Sequence, residues 1–170
     1  MFEQIINTVL NVKDKTKDDI SAREDMRTHC KRRRLNVHVV ADADGRRREV
    51  MPQAPYVLKR EYRKVVCEWI RKVKFPDGYA SNLSRCVDVR NASLHNMKSH
   101  DCLVFMPRLL PLAFRDLLPT NAWNVLTELS QFFRDLCSSK LHADDVICLE
   151  NNIAEILCRL ERVFPLLSST

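Results

Sequence analysis

Only two glycines, Gly45 and Gly78, occur in the 170 residues of this chain. Glycine reaches positive φ without steric penalty, and hairpin-rich sheets depend on it at their tight turns. So small a supply excludes a β-sandwich. It also excludes a glycine-rich phosphate loop or dinucleotide fingerprint, which needs several glycines close together. The chain is therefore expected to be mainly α. A hydrophobic content of 45% against 29% charged residues lies in the globular range and excludes full-length disorder. The length suits one domain or a piece of something larger.

Apolar periodicity places the helices. Phe2, Ile5, Ile6, Val9 and Leu10 recur at helical spacing from almost the first residue. No capping residue precedes them, as if earlier chain were missing. Residues 13–34 are polar and charged. Thr16 is the expected cap there, with Asp18 and Asp19 in the first turn and the basic run at the C-terminal end, the order a helix dipole favours. A short strand pair is expected near 35–40 and 48–51, around Asp44-Gly45. Tyr62, Val65, Val66, Trp69, Ile70 and Val73 form a stripe over 58–74, and Phe75–Gly78 reads as a turn. Residues 77–98 read as an ordered loop with one helical turn near 82–86. Ser99 is the expected cap of the apolar run over 99–118, which Pro107 and Pro111 must kink or split, since each lacks a backbone donor. Thr120 or Asn121 is expected to cap the next helix, with Trp123, Leu126, Leu129, Phe133 and Leu136 on one face. The longest helix runs from His142 to Phe164, and the tail at 166–170 stops as if cut. The expected architecture is a helical layer in the C-terminal half, over 58–170, preceded by a basic, partly irregular N-terminal arm over 1–57 that carries the strand pair.

Charge is uneven. Residues 1–74 carry 19 Lys and Arg against 11 Asp and Glu, whereas the remainder carries 9 against 11. Such a block points to nucleic acid, an anionic membrane surface or an acidic partner. Its densest parts are Lys31, Arg32, Arg33 and Arg34, and Arg46, Arg47 and Arg48. Phosphate contact is one reading of them; a solvated face or nuclear-import signal is the other. No aromatic residue is interleaved with either cluster, so base stacking has no support.

Seven cysteines without a CxxC pair or secretory signal suit a reducing compartment, mostly as small buried hydrophobes. His100 with Cys102, and His29 with Cys30, are the only close His/Cys pairs, too few for the two ligand pairs zinc usually takes. Asp88, Asp101, Asp116, Glu150 and Glu155 have no spacing that singles out a catalytic pair. Trp69, Met97, Phe105, Met106, Trp123 and Phe133 are expected in the core. No catalytic residue, metal, cofactor or small-molecule substrate is expected from the residues themselves. No apolar run approaches the ~18 residues of a membrane span.

Several ordered segments carry a more specific signal. They are Met97, Lys98, Ser99, His100, Asp101 and Cys102; the stretch Met106–Pro119; Phe132–Ser138; Leu149-Glu150; and Ile156–Pro165. Together with Phe75–Asn82, Lys15–Asp18 and Ala22-Arg23, they resemble the plant CACTA (En/Spm-type) transposases, at the junction and start of the domain of unknown function that follows the catalytic region. The resemblance implies a metal-dependent acidic triad of the RNase H-like kind that begins upstream of these segments, and an H-x3-H pair beyond them. It therefore implies a truncated, transposon-derived chain without autonomous transposase activity, with DNA or other transposase chains as partners and the nucleus, or otherwise the cytoplasm, as location; the alternative is a helical protein-interaction fragment or a relic reading frame without function. The chain departs from the family where Leu103 follows Cys102 in place of histidine, and at Pro107, where a polar residue is usual. Phe2, Ile5, Val9 and Leu166-Leu167 are expected to offer uncovered apolar surface for chain–chain contact.

Overall fold

The N-terminal apolar stripe ends in the core. In the computed structural model, which describes residues 2–29, 32–75 and 82–165 (and no side chain for His29), helix α1 spans Phe2–Val9 and buries Phe2, Ile5, Ile6 and Val9. The Phe2 ring meets that of Phe105 at 5.5 Å. The expectation that this stripe is uncovered is thus overturned. An eight-residue helix is too short to hold itself together in water, and packing of its apolar face stabilises it. Leu166-Leu167 lies outside the described residues.

The fold is mainly α-helical, and the described residues include two small antiparallel strand pairs. Helix α2 (Ile20–His29) starts three residues later than the Thr16 cap would place it. Asp19 Oδ1 accepts from the Ala22 N–H at 2.8 Å, satisfying a donor of its first turn, while Thr16 Oγ1 serves the Asp18 N–H. Strands β1 (His38–Ala41) and β2 (Arg47–Val50) pair from His38↔Val50 to Ala41↔Arg47, with Gly45 at φ +76° in the turn. Helix α3 (Arg60–Lys72) follows, then a 3-10 turn at Leu83–Cys86 and the minimal pair β3 (Val87–Asp88) and β4 (Ser93–Leu94). The Pro76–Gly78 part of the expected turn lies outside the described residues.

Residues 99–114 form a helical run interrupted once: α4 (Ser99–Val104), a π-turn over Phe105–Leu109, then α5 (Leu110–Phe114). The widened turn absorbs Pro107, and the Leu110 N–H reaches back five residues to the Phe105 carbonyl. Pro111 has no N–H to give the Pro107 carbonyl; Arg134 Nη2 supplies that bond at 2.9 Å. Trp123 Nε1 bonds the Pro111 carbonyl at 2.8 Å. Both donors come from α6 (Thr120–Leu136), so the kinked run is locked onto the helix beneath it. Lys98, not Ser99, precedes α4, and Asp101 Oδ2 accepts its N–H at 2.9 Å. Helix α6 begins at Thr120 behind Pro119 without a side-chain cap, so neither Thr120 nor Asn121 plays that part.

Helix α7 (Ala143–Val163) packs against α6 by its C-terminal half, where Ile156 and Leu160 are buried, while Val146 and Ile147 stay exposed. One core cluster runs from Phe2 and Leu10 through Tyr56, Ile70, Phe105 and Leu126 to Phe164. On α3 the stripe divides. Val66, Cys67 and Ile70 are buried, but Tyr62, Val65 and Trp69 face outward, against expectation for Trp69. Helical spacing marks an apolar arc, and the neighbours available cover only part of it.

Buried ion pairing shapes the N-terminal half. Arg23 and Asp18 are 1% and 2% exposed. Arg23 Nε and Nη2 donate to the two Asp18 oxygens at 2.5 and 2.8 Å, and Nη1 donates to the Leu35 and Pro52 carbonyls at 3.2 and 2.6 Å. Leu35 precedes the β1–β2 hairpin and Pro52 follows it, so one guanidinium closes the hairpin at its base. Arg23→Ala strands the Asp18 carboxylate in the interior. It is expected to lower the unfolding free energy by about 3–5 kcal/mol and to speed amide exchange across His38–Val50. Urea denaturation and hydrogen exchange read the two effects.

Candidate nucleic-acid interface

The basic clusters occupy the segment that Arg23 holds. Arg33 and Arg34 lie exposed on a 3-10 turn (Arg33–Leu35) anchored by buried Leu35. Arg32 is half-buried, and its Nη2 donates to the Arg162 carbonyl at the end of α7. Lys31 lies outside the described residues. Arg46 closes the hairpin turn, its N–H bonded to Asp42 Oδ1 at 2.8 Å. Arg47 and Arg48 follow on β2, both exposed. Strand alternation puts Arg47 on one face of the ribbon, across from Ala41, and Arg48 on the other, across from Val40. Val39 and Val40 are also exposed, so the hairpin projects with neither face packed. Among the described residues no carboxylate forms an ion pair with Arg33, Arg34, Arg46, Arg47 or Arg48.

Helix α3 adds a second basic surface. Arg60, Lys64, Arg71 and Lys72 are exposed around Tyr62, Val65 and Trp69. Arg63 turns inward instead and donates through Nη1 to the Leu10 carbonyl at 2.9 Å; burial, then the Arg60 charge, lowers its pKa. The aromatic interleaving absent from the arginine clusters thus occurs here. The signal for it was in the sequence, but the same spacing reads equally as core.

A cavity of about 520 Å³ opens where the arginine turn meets the start of α6 and the end of α7. Arg32, Arg33, Arg34 and Arg162 line it with Tyr56 and Asn121. Arg162 is 130 positions from Arg32 in the chain, and nothing in the sequence links them. Tyr56 is buried against Phe164 at 5.1 Å, and its hydroxyl has no hydrogen-bond partner among the described residues. Burial, reinforced by the Asp18 charge, holds its phenol well above the usual pKa.

The Met97–Cys102 segment supports the fold. Met97 packs partly on the core, Lys98, Ser99 and His100 are exposed, Asp101 is buried as the acceptor at the start of α4, and Cys102 is half-buried. His100 and Cys102 therefore differ in exposure, and Leu103 is exposed. His29 and Cys30 have no described side chains. Among the described residues no three His, Cys, Asp or Glu side chains gather as a metal site. Asp88 Oδ1 and Oδ2 accept from Asn91 within their own turn, which lowers the Asp88 pKa, and Glu155 pairs with Arg159. Among the described residues no helix is long and apolar enough to cross a membrane.

Comparison of the chain with protein-family models, with curated proteins and with solved structures returned no match.

The six described cysteines divide by burial. Cys67 and Cys86 are buried and Cys102 is half-buried, whereas Cys137, Cys148 and Cys158 are exposed, contrary to the expectation of a mostly core role. Burial, then the Asp88 charge, pushes the Cys67 thiol up to about 11. Burial also raises Cys86 and Cys102. Since the thiolate is the nucleophile, iodoacetamide at pH 8 is expected to label Cys137, Cys148 and Cys158 first and Cys67 only after unfolding. Peptide mass spectrometry of a time course resolves the order.

Proposed function

We propose that this chain is a transposon-derived helical module that binds nucleic acid through the phosphate backbone and has no autonomous transposase activity. The observation that carries the binding is the arginine turn with the projecting ribbon beside it: Arg33 and Arg34 on the turn, and Arg46, Arg47 and Arg48 on the ribbon, stand exposed, without carboxylate partners among the described residues, on a segment fixed by a buried ion pair. Each guanidinium that neutralises a phosphate releases counterions, and a β-ribbon is narrow enough to lie along a groove. Phosphate contacts of this kind orient a protein on its duplex without specifying sequence. The transposase origin draws on the ordered CACTA-like segments, and the same resemblance favours the nucleus. In that family the catalytic acids begin upstream of the matched segments, so linear duplex incubated with this chain in Mg²⁺ or Mn²⁺ is expected to stay intact.

A second reading has one observation in its favour. Leu136, Leu141, Val146 and Ile147 leave the end of α6 and the start of α7 as exposed apolar surface, with Val146 49% and Ile147 57% exposed. Such surface suits contact with another transposase chain.

The two readings separate in one titration series. For backbone binding, affinity for mixed-sequence duplex falls linearly in log–log form with salt. Replacing Arg33, Arg34, Arg46, Arg47 and Arg48 by glutamine is expected to flatten the slope by about 0.9 for each phosphate that is no longer neutralised. If the slope is unmoved while Val146→Ser/Ile147→Ser lowers the sedimenting mass, the chain–chain reading replaces it.

A further inference from the structure

We propose that the cavity between the arginine turn and the N-terminus of α6 binds a nucleoside monophosphate, either free or as the 5′-phosphorylated end of a strand. Four arginines, Arg32, Arg33, Arg34 and Arg162, line this one space, and among the described residues no acidic one lines it. No ion pair neutralises any of the four among the described residues. Gathering like charges around a cavity opposes folding, and a bound dianion reverses that cost by binding only the folded state. Guanidinium forks match phosphate oxygens in geometry as well as charge.

The start of α6 supplies further donors. Among the described residues no side chain caps this 17-residue helix. The N–H groups of its first two residues have no acceptor within the helix, so the positive end of the dipole faces the arginines. The hydrogen bond from Arg32 to the Arg162 carbonyl joins the two sides of the rim.

The ligand is larger than phosphate itself. About 520 Å³ is within the usual range for small-molecule pockets, roughly 300–1,000 Å³, and well above what a bare oxyanion fills. The remaining wall is apolar, formed by Leu35, Pro55, Ala122 and Val163. A phosphate head on the guanidiniums with a flat ring against that wall satisfies both halves, and arginine planes also stack on bases. The site shares Arg33 and Arg34 with the duplex-binding surface but does not depend on that reading.

Calorimetry of the full chain with AMP, adenosine and inorganic phosphate tests the proposal. AMP is expected to bind at least about tenfold more tightly than either fragment. Arg33→Gln/Arg162→Gln, at two exposed positions, should weaken AMP by about tenfold or more, with far-UV circular dichroism confirming the fold. Asn121→Trp keeps every charge, fills the cavity mouth and should also abolish AMP binding. Arg46→Gln/Arg47→Gln/Arg48→Gln should leave AMP binding unchanged while weakening duplex binding, so failure of one reading is distinguishable from failure of the other. Decathymidylate with a 5′-phosphate, set against its 5′-hydroxyl form, assigns the source: a preference marks strand ends, and equal affinity alongside AMP binding marks the free nucleotide. Adenosine binding as tightly as AMP, absence of AMP binding, or AMP binding indifferent to both cavity variants overturns the proposal.

Discussion

The bidentate pair between Arg23 and Asp18 organises the N-terminal half of this protein. Two charges removed from water cost several kcal/mol each unless their hydrogen-bonding capacity is filled. Here it is largely met: both Asp18 oxygens accept, and Nη1 of the guanidinium donates to the Leu35 and Pro52 carbonyls. Those carbonyls flank a hairpin that buries almost nothing of its own. A two-stranded ribbon is marginal alone in water. Fixing its two ends together reduces the loop entropy that opposes it. A buried charge thereby holds exposed charges in place, linking the fold to the exposed basic surface.

The C-terminal half handles its prolines in the same manner. Pro111 leaves the Pro107 carbonyl without its helical donor, and Arg134 on α6 replaces that donor. Trp123 bonds the Pro111 carbonyl from the other end of the same helix. The π-turn between these points lets one run of residues serve the core on both sides of the bend. Phe105, Met106, Leu109 and Leu110 are all buried. Pro107 thus sits in a widened turn that its surroundings stabilise.

The helices were legible because an amphipathic helix writes its period into the chain. The stripes of α1, α6 and the C-terminal half of α7 meet the core, and the hairpin forms near where Asp44-Gly45 marks a turn. Caps were less legible. Asp19, Asp101 and Asp145 accept the backbone N–H bonds at three helix starts, while Thr16 and Ser99 stood out by residue type. An acidic side chain can satisfy a free N–H from several positions around a helix start, so residue preference marks the neighbourhood rather than the atom. The outward turn of Tyr62, Val65 and Trp69 was not legible, because periodicity gives the width of an apolar arc and not how much of it finds a partner.

Local properties were set by the sequence alone. Two glycines in 170 residues ruled out hairpin-rich sheets, apolar spacing placed the helices, and the arginine runs placed positive charge in the first half. Those depend only on residue type and near neighbours along the chain. Tertiary structure decided which charges meet. It buried Arg23 with Asp18 and left Arg47 and Arg48 on opposite faces of a ribbon. It also brought Arg162 beside Arg32 from 130 positions away. Charge carries no periodicity comparable to that of an apolar stripe, so its convergence is settled only when the core closes and fixes the distances between segments.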